Sequence, residues 1–177
     1  NALPDSAIKN LETTYRKSRS KLVAAFYGSP SRRLRVIAIT GTNGKTTTAN
    51  FLNEILKEAG NKTAMFSTAN IEIAGVQTLN DLNATVSTTA RMQKFFKNAK
   101  KADVDFVMIE ATSHALAQHK LDGVPIEMAI MTNLTQDHLD YHKTMDNYAA
   151  AKAKLFQMKP KFIVLNSDDE WFEYFNK

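Results

Sequence analysis

Five short apolar runs, at 36–39, 62–66, 104–109, 126–131 and 162–165, punctuate longer amphipathic stretches of the chain. Each is of strand length. Near-continuous runs such as Val104-Asp-Phe-Val-Met-Ile109 and Ile126-Glu-Met-Ala-Ile-Met131 are what strands buried on both faces require. Positions 46–59, 91–101 and 145–158 instead carry apolar residues at helical spacing. Gly60-Asn61 closes the first of these, and Met92, Phe95 and Phe96 share one side of the second. A further helix is predicted over 5–26, capped by Asp5 or Ser6, with Ile8, Leu11, Tyr15, Leu22 and Val23 as an uneven apolar face. Gly28-Ser-Pro-Ser31 ends it, while residues 67–88 are polar and expected to be irregular. Strands alternating with helices predict an α/β fold with a doubly wound, mostly parallel sheet.

The first apolar run feeds Thr40-Gly-Thr-Asn-Gly-Lys-Thr-Thr-Thr48, a glycine-rich loop that opens a helix. Backbone N–H groups, a helix N-terminus and Lys45 then surround one point, as a polyphosphate needs. Gly41 lies closer to Gly44 than the generic phosphate loop allows, so the match is partial. Gly44, Lys45 and Thr46 keep the parts with a job: close backbone approach, a cation for the β/γ oxygens, and a hydroxyl for Mg²⁺. The plainer alternative is a glycine turn that merely starts a helix.

In doubly wound sheets ligands gather at the carboxyl ends of the strands. Lys45, Glu110, Asn133 and the pair Asp137-His138 all follow predicted strands there, so they could face one crevice. Glu110 is either a metal or water-orienting carboxylate or else a helix N-cap or solvated loop acid, and His138 either a ligand or a structural histidine, with Asp140 and His142 close by in sequence. On the last long helix Met145, Tyr148, Ala149, Leu155 and Phe156 form one stripe with Lys152 in its middle, whereas Lys154 falls opposite and is expected to be solvated. A lysine on a packed face snorkels, pairs with an acid, or loses its proton; a neutral amine can take up CO₂ as an anionic carbamate.

Composition sets bounds on these readings. A chain of 177 residues can bury one sizeable core, so one domain plus an N-terminal segment is expected. Its 44% hydrophobic and 23% charged content is ordinary for a globular protein. No apolar run approaches the ~18 residues of a membrane span, and no signal-peptide pattern opens the chain. With no cysteine there is neither a disulfide nor a thiolate metal site, which suits a cytoplasmic setting. The net charge of +5 is scattered apart from Arg32, Arg33 and Arg35, favouring a phosphate-friendly surface over a nucleic-acid interface.

Four segments together resemble successive motifs of the Mur ligases, most nearly the type that adds the third amino acid of the peptidoglycan stem. They are the Gly41 loop, Glu110-Ala-Thr-Ser-His-Ala-Leu-Ala-Gln118, Thr132-Asn-Leu-Thr-Gln-Asp-His-Leu-Asp-Tyr-His142 and Tyr148-Ala-Ala-Ala-Lys-Ala-Lys-Leu-Phe156. The resemblance implies ATP binding by Gly41, Thr42, Asn43, Gly44, Lys45, Thr46 and Thr47, with Asn133 nearby. It implies Mg²⁺ at Thr46, at Glu110 with His138, and at Lys152 as a carbamate; Lys45 and Lys152 are the implied catalytic residues. Ser113, His114 and Gln118 match the segment that contacts a UDP-N-acetylmuramoyl-peptide. The implied chemistry is activation of the substrate carboxylate as an acyl phosphate, which an incoming amino acid displaces to form an amide.

Thr85 and Lys120 are implied substrate contacts too, but at both the chain departs from the family pattern. Thr85-Val-Ser87 stands where Thr-Thr-Pro is usual, and Lys120 where an arginine is common, losing a bidentate fork while keeping the charge. The resemblance further implies an N-terminal helix and linker over 1–30 and a central ATP-binding domain over 31–177 that is incomplete at its end. Such a piece is expected to be monomeric, to bind neither membrane nor nucleic acid, and not to ligate alone. A relative acting on another carboxylate, such as a folate polyglutamylating enzyme, and a non-catalytic nucleotide-binding module are the alternatives.

Overall fold

The computed structural model describes residues 4–68, 70–79 and 88–177. A long helix α1 (Asp5–Phe26) and a 3₁₀ turn at Pro30–Arg33 lead into β1 (Arg35–Thr40), followed by α2 (Lys45–Glu58) and β2 (Thr63–Phe66). A hairpin of β3 (Asn70–Ile73) and β4 (Val76–Leu79) comes next, then α3 (Thr89–Lys101), β5 (Phe106–Glu110) and the short α4 (Ser113–Ala117). β6 (Met128–Met131), one turn of α5 (Leu139–His142), α6 (Met145–Gln157), β7 (Phe162–Leu165) and α7 (Phe172–Phe175) complete the order.

The strands form one sheet in the order β4-β3-β2-β5-β1-β6-β7. β2, β5, β1, β6 and β7 run parallel, and only the hairpin is antiparallel, so the mostly parallel doubly wound sheet stands as expected. The continuous apolar runs follow from this topology. Val36 and Ala38 of β1 pack on one side with Phe95, Phe96 and Leu155, while Ile37 and Ile39 pack on the other with Ala49 of α2. With β1 between β5 and β6, the order in which the chain winds along the sheet reverses beside it, and the carboxyl ends of these three parallel strands open a crevice.

Four expectations need correction. Residues 67–88 are not wholly irregular: Ala74 and Gly75, both with left-handed φ (49° and 82°), make the tight turn of the β3–β4 hairpin. The apolar face read on α1 is not its buried face, since Leu11, Tyr15 and Leu22 are exposed. Small residues face inward instead, with Ser20 and Ala24 buried and the Ser20 hydroxyl 3.4 Å from Thr89 Oγ1 of α3. Its N-cap position is taken by Pro4. Lys154, finally, is not solvated but half-buried, its Nζ 3.4 Å from Ala117 O and 3.2 Å from His119 Nε2.

Candidate functional site

The glycine loop is shaped by what presses on it. Gly41 has φ 145°, and a Cβ there would lie 1.8 Å from Thr132 Oγ1, so only glycine fits against the end of β6. Gly44, left-handed at φ 82°, is the N-cap of α2, and the first helical bond runs from Thr48 N–H to Gly44 O. The N–H groups of Lys45, Thr46 and Thr47 therefore lack an intrahelical acceptor and lie at the positive end of the helix dipole, with no acid in the first turn of α2.

Asn133 clamps this loop from β6. Its carbonyl accepts from Thr42 N–H at 2.8 Å, its Oδ1 accepts from Asn43 N–H at 3.0 Å, and its Nδ2 donates to Asn43 O. The amide read as lying near a nucleotide is thus spent on the backbone of the loop. Thr132 adds a hydroxyl that donates to Asn43 O at 2.6 Å. Thr42 in turn donates to Thr135 O and lies 3.3 Å from the Tyr148 hydroxyl, tying the loop to α6. Thr132 and Tyr148 lie in segments singled out in the sequence, but their hold on the loop was not read there, because hydroxyls gain such meaning only through neighbours distant in the chain.

Two lysines meet at one carbonyl. Lys45 Nζ donates to Gly41 O at 2.9 Å and to Thr42 O at 2.7 Å, and Lys152 Nζ donates to the same Gly41 O at 2.7 Å. Lys152 is 1% exposed and lies over the Tyr148 ring, 4.5 Å from its centroid. Burial, then the charge of Lys45, push its pKa down to about 7, with Asp137 opposing weakly. Lys45 is also held below the ordinary lysine range by burial, although Glu110 and Asp137 pull it up.

Glu110 ends β5, wholly buried. Its Oε2 accepts from the Thr68 hydroxyl at 3.1 Å, and Thr68 Oγ1 lies 3.5 Å from Thr46 Oγ1. Thr68 is a further site residue that the sequence did not single out. Glu110 Oε1 is buried with no hydrogen-bond partner, and an orphaned carboxylate oxygen fits a cation. His138 is the N-cap of α5 in a left-handed conformation, its exposed ring edge-on to His114 at 5.0 Å. Among the described residues no three His, Asp or Glu side chains gather as a metal cage.

The residues read as substrate contacts fall in two places. Ser113 and His114 adjoin His138: the buried Ser113 hydroxyl lies 2.9 Å from His142 Nε2, and His114 packs on Tyr141 and His142. Burial, His114, His138 and Lys152 together hold His142 down to about 4. Gln118 and Lys120 line a separate cleft of about 340 Å³ with Arg16, Arg19 and Thr88. Burial and Arg19 lower the pKa of Lys120. Thr85 and its neighbours to Ser87 lie outside the described residues.

Residues 39–177 match the Mur ligase middle domain. The chain is 44% identical over 169 residues to the UDP-N-acetylmuramoyl-L-alanyl-D-glutamate–2,6-diaminopimelate ligase of Bacillus velezensis, covering 91% of this chain and 34% of that protein. A solved structure of a ligase with that name superposes with a TM-score of 0.72 at 35% identity, over 81% of this chain and 28% of the other. A Mycobacterium tuberculosis folylpolyglutamate synthase complexed with ADP and AMPPCP shares the fold alone, with a TM-score of 0.71 at 19% identity over 87% of this chain and 42% of that one. The chain spans about a third of the length of the curated relatives it matches. Extent of match and level of identity agree with the loop, the orphaned carboxylate and the buried lysine: the chain belongs to the Mur ligase family, as its middle domain.

Proposed function

We propose that this domain binds ATP at the Gly41 to Thr47 loop and serves a ligase that activates the carboxylate of a UDP-N-acetylmuramoyl-peptide as an acyl phosphate and joins it to an amino acid. The name shared by the relatives supports 2,6-diaminopimelate as that amino acid. The observation that carries the reading is Lys45 folded onto Gly41 O and Thr42 O, beside the free N–H groups at the start of α2. A cation and free N–H groups gathered at a helix N-terminus call for a polyphosphate.

In this reading Lys45 and the loop N–H groups hold the β and γ phosphates and stabilise the charge that moves between them during transfer. Thr46, Glu110 and His138 would hold Mg²⁺, which when bound neutralises phosphate charge and fixes the γ-phosphate for attack. Lys152 is suited to carbamylation: its neutral Nζ attacks the carbon of CO₂, the N–C bond forms, and one proton leaves to solvent. The product would be a carbamate anion, an opposite charge for Lys45 and an oxygen donor that suits Mg²⁺. Ser113, His114, Gln118 and Lys120 would orient the peptide so that its carboxylate meets the γ-phosphate in line.

Isothermal titration with a non-hydrolysable ATP analogue and Mg²⁺ tests the reading. The parent chain should bind one equivalent and Lys45→Ala should lose binding about a hundredfold, the loss of a charge-assisted contact in a dry site. Equal binding by both chains would sink it.

A further inference from the structure

The side of the sheet where the strands begin carries a second basic cleft, of about 700 Å³. It opens between α1 and the segments that lead into the strands: Arg32 comes before β1, Val124 before β6 and Met158 before β7. Lys17 and Lys21 line it from α1, Arg32 from the 3₁₀ turn and Lys154 from α6. Asp122 is the single acid in the lining, and it is engaged with His119 Nδ1 at 3.1 Å. Among the described residues no carboxylate forms an ion pair with Lys17, Lys21, Arg32 or Lys154.

Scattered surface lysines need no partner, but this cluster has a built floor. His119 is only 7% exposed, with a left-handed φ of 55°, and its ring is fixed at both nitrogens. Lys154 Nζ donates to Nε2 at 3.2 Å, which leaves Nδ1–H to donate to Asp122. Lys154 also donates to Ala117 O at 3.4 Å, so one of its three N–H groups is uncommitted. Lys17, Lys21, Arg32 and Lys154 share this lining, and an anion among them would offset their mutual repulsion. Leu121, Val124 and Met158 supply an apolar wall beside the cations.

We propose that this cleft binds a phosphorylated small molecule, its phosphate held among Lys17, Lys21, Arg32 and Lys154 and its carbon framework laid against Leu121, Val124 and Met158. The volume suits one ligand of that size. The phosphate loop lies at the opposite ends of the strands, so the two sites fill independently.

The test uses the chain carrying Lys45→Ala, titrated with inorganic pyrophosphate and separately with uridine 5′-monophosphate at fixed ionic strength. One equivalent of each should bind, and adding Lys17→Glu with Lys21→Glu should weaken both about tenfold or more. Tighter uridine monophosphate supports a carbon framework on the apolar wall; equal affinities would overturn that part of the proposal. The charge reversals in the otherwise parental chain should leave binding of the ATP analogue unchanged, which separates this site from the proposed nucleotide site. Lys17→Gln alone, on the solvent side of α1, gives a milder version should the double change perturb folding. Absence of saturable binding to the Lys45→Ala chain, indifference to the charge changes, or tighter binding of polyglutamate than of either phosphate would each overturn the proposal.

Discussion

Lys152 and Lys154 leave the same helix two residues apart and meet different surroundings. Lys152 turns under the glycine loop, where it finds one carbonyl, the face of Tyr148 and the charge of Lys45, and no carboxylate forms an ion pair with it among the described residues. Lys154 turns the other way, half-buried, onto Ala117 O and the His119 ring, with Asp122 behind that ring. Both lose some basicity, but only Lys152 falls to about 7, where a large fraction of neutral amine exists at neutral pH. Which lysine holds a large share of neutral amine at neutral pH is therefore decided by the side of α6 it occupies. Residue type alone does not decide it.

The contrast between the two rests on Gly41, and the largest expected effect comes from filling that position. Gly41→Ala would drive a Cβ into Thr132 Oγ1 at 1.8 Å while keeping φ at 145°. Overpacking and backbone strain together cost about 4 kcal/mol. Urea denaturation should show that loss, and titration with the ATP analogue should show no binding, because the loop and the Lys152 acceptor are displaced together. A midpoint equal to the parent's would mean that the loop is held by something other than this contact.

Charge removal from each lysine gives the next largest difference. Lys152 has a folded pKa of about 7 against an ordinary 10.5. Between those values the unfolded chain binds a proton that the folded chain does not, so stability rises with pH by about 1.4 kcal/mol per unit. Lys152→Met should abolish this slope in CO₂-free buffer and raise stability near pH 6, since a buried ammonium is replaced by an apolar group of similar length. Lys154→Met should leave most of the slope in place. Denaturation at pH 6, 7.5 and 9 reads both variants, and identical slopes would erase the distinction between the two lysines.

The same distinction explains what could be read in advance. Lys152 was legible because one helical stripe of Met145, Tyr148, Ala149, Leu155 and Phe156 encloses it, and a stripe needs only neighbours on its own helix. The docking of Lys154 was not, because Ala117 and His119 reach it from another element, 37 and 35 residues away in the chain. The parallel core was legible for a related reason: strands covered on both faces are apolar at nearly every position, as in β1 and β5. The hairpin was hidden because an edge pair with polar alternation, carrying a buried Glu72 held by Lys57, Asn53 and Gln77, gives no such run. Its turn signal was weak as well, since Ala74 takes a positive φ usually left to Asn, Asp or Gly. On α1 the apolar residues misled, because the helix packs through small residues and leaves the large ones outside.

The smallest effect is electrostatic and concerns how far the charge of Lys152 reaches. His142 is buried, and burial, His114, His138 and Lys152, in that order, hold its pKa to about 4 instead of 6.5, against a small opposing pull from Asp140. A histidine held neutral in this way opposes folding when it must be protonated. Its contribution is fully present above pH 6.5 and is lost as the pH falls from there towards 4, where the unfolded chain takes up a proton that the folded one refuses. Thermal or urea denaturation across that window should show the decline, and His142→Gln should flatten it while keeping a partner for the Ser113 hydroxyl. If the Lys152 ammonium contributes, Lys152→Met should move the His142 titration, followed by its ring proton resonances, upwards by a few tenths of a pH unit. Lys154→Met should not move it, because Lys154 is turned to the far side of α6. A His142 titration that responds equally to both substitutions would mean that the two lysines share one field, and the division of α6 into a reactive side and a docked side would fail.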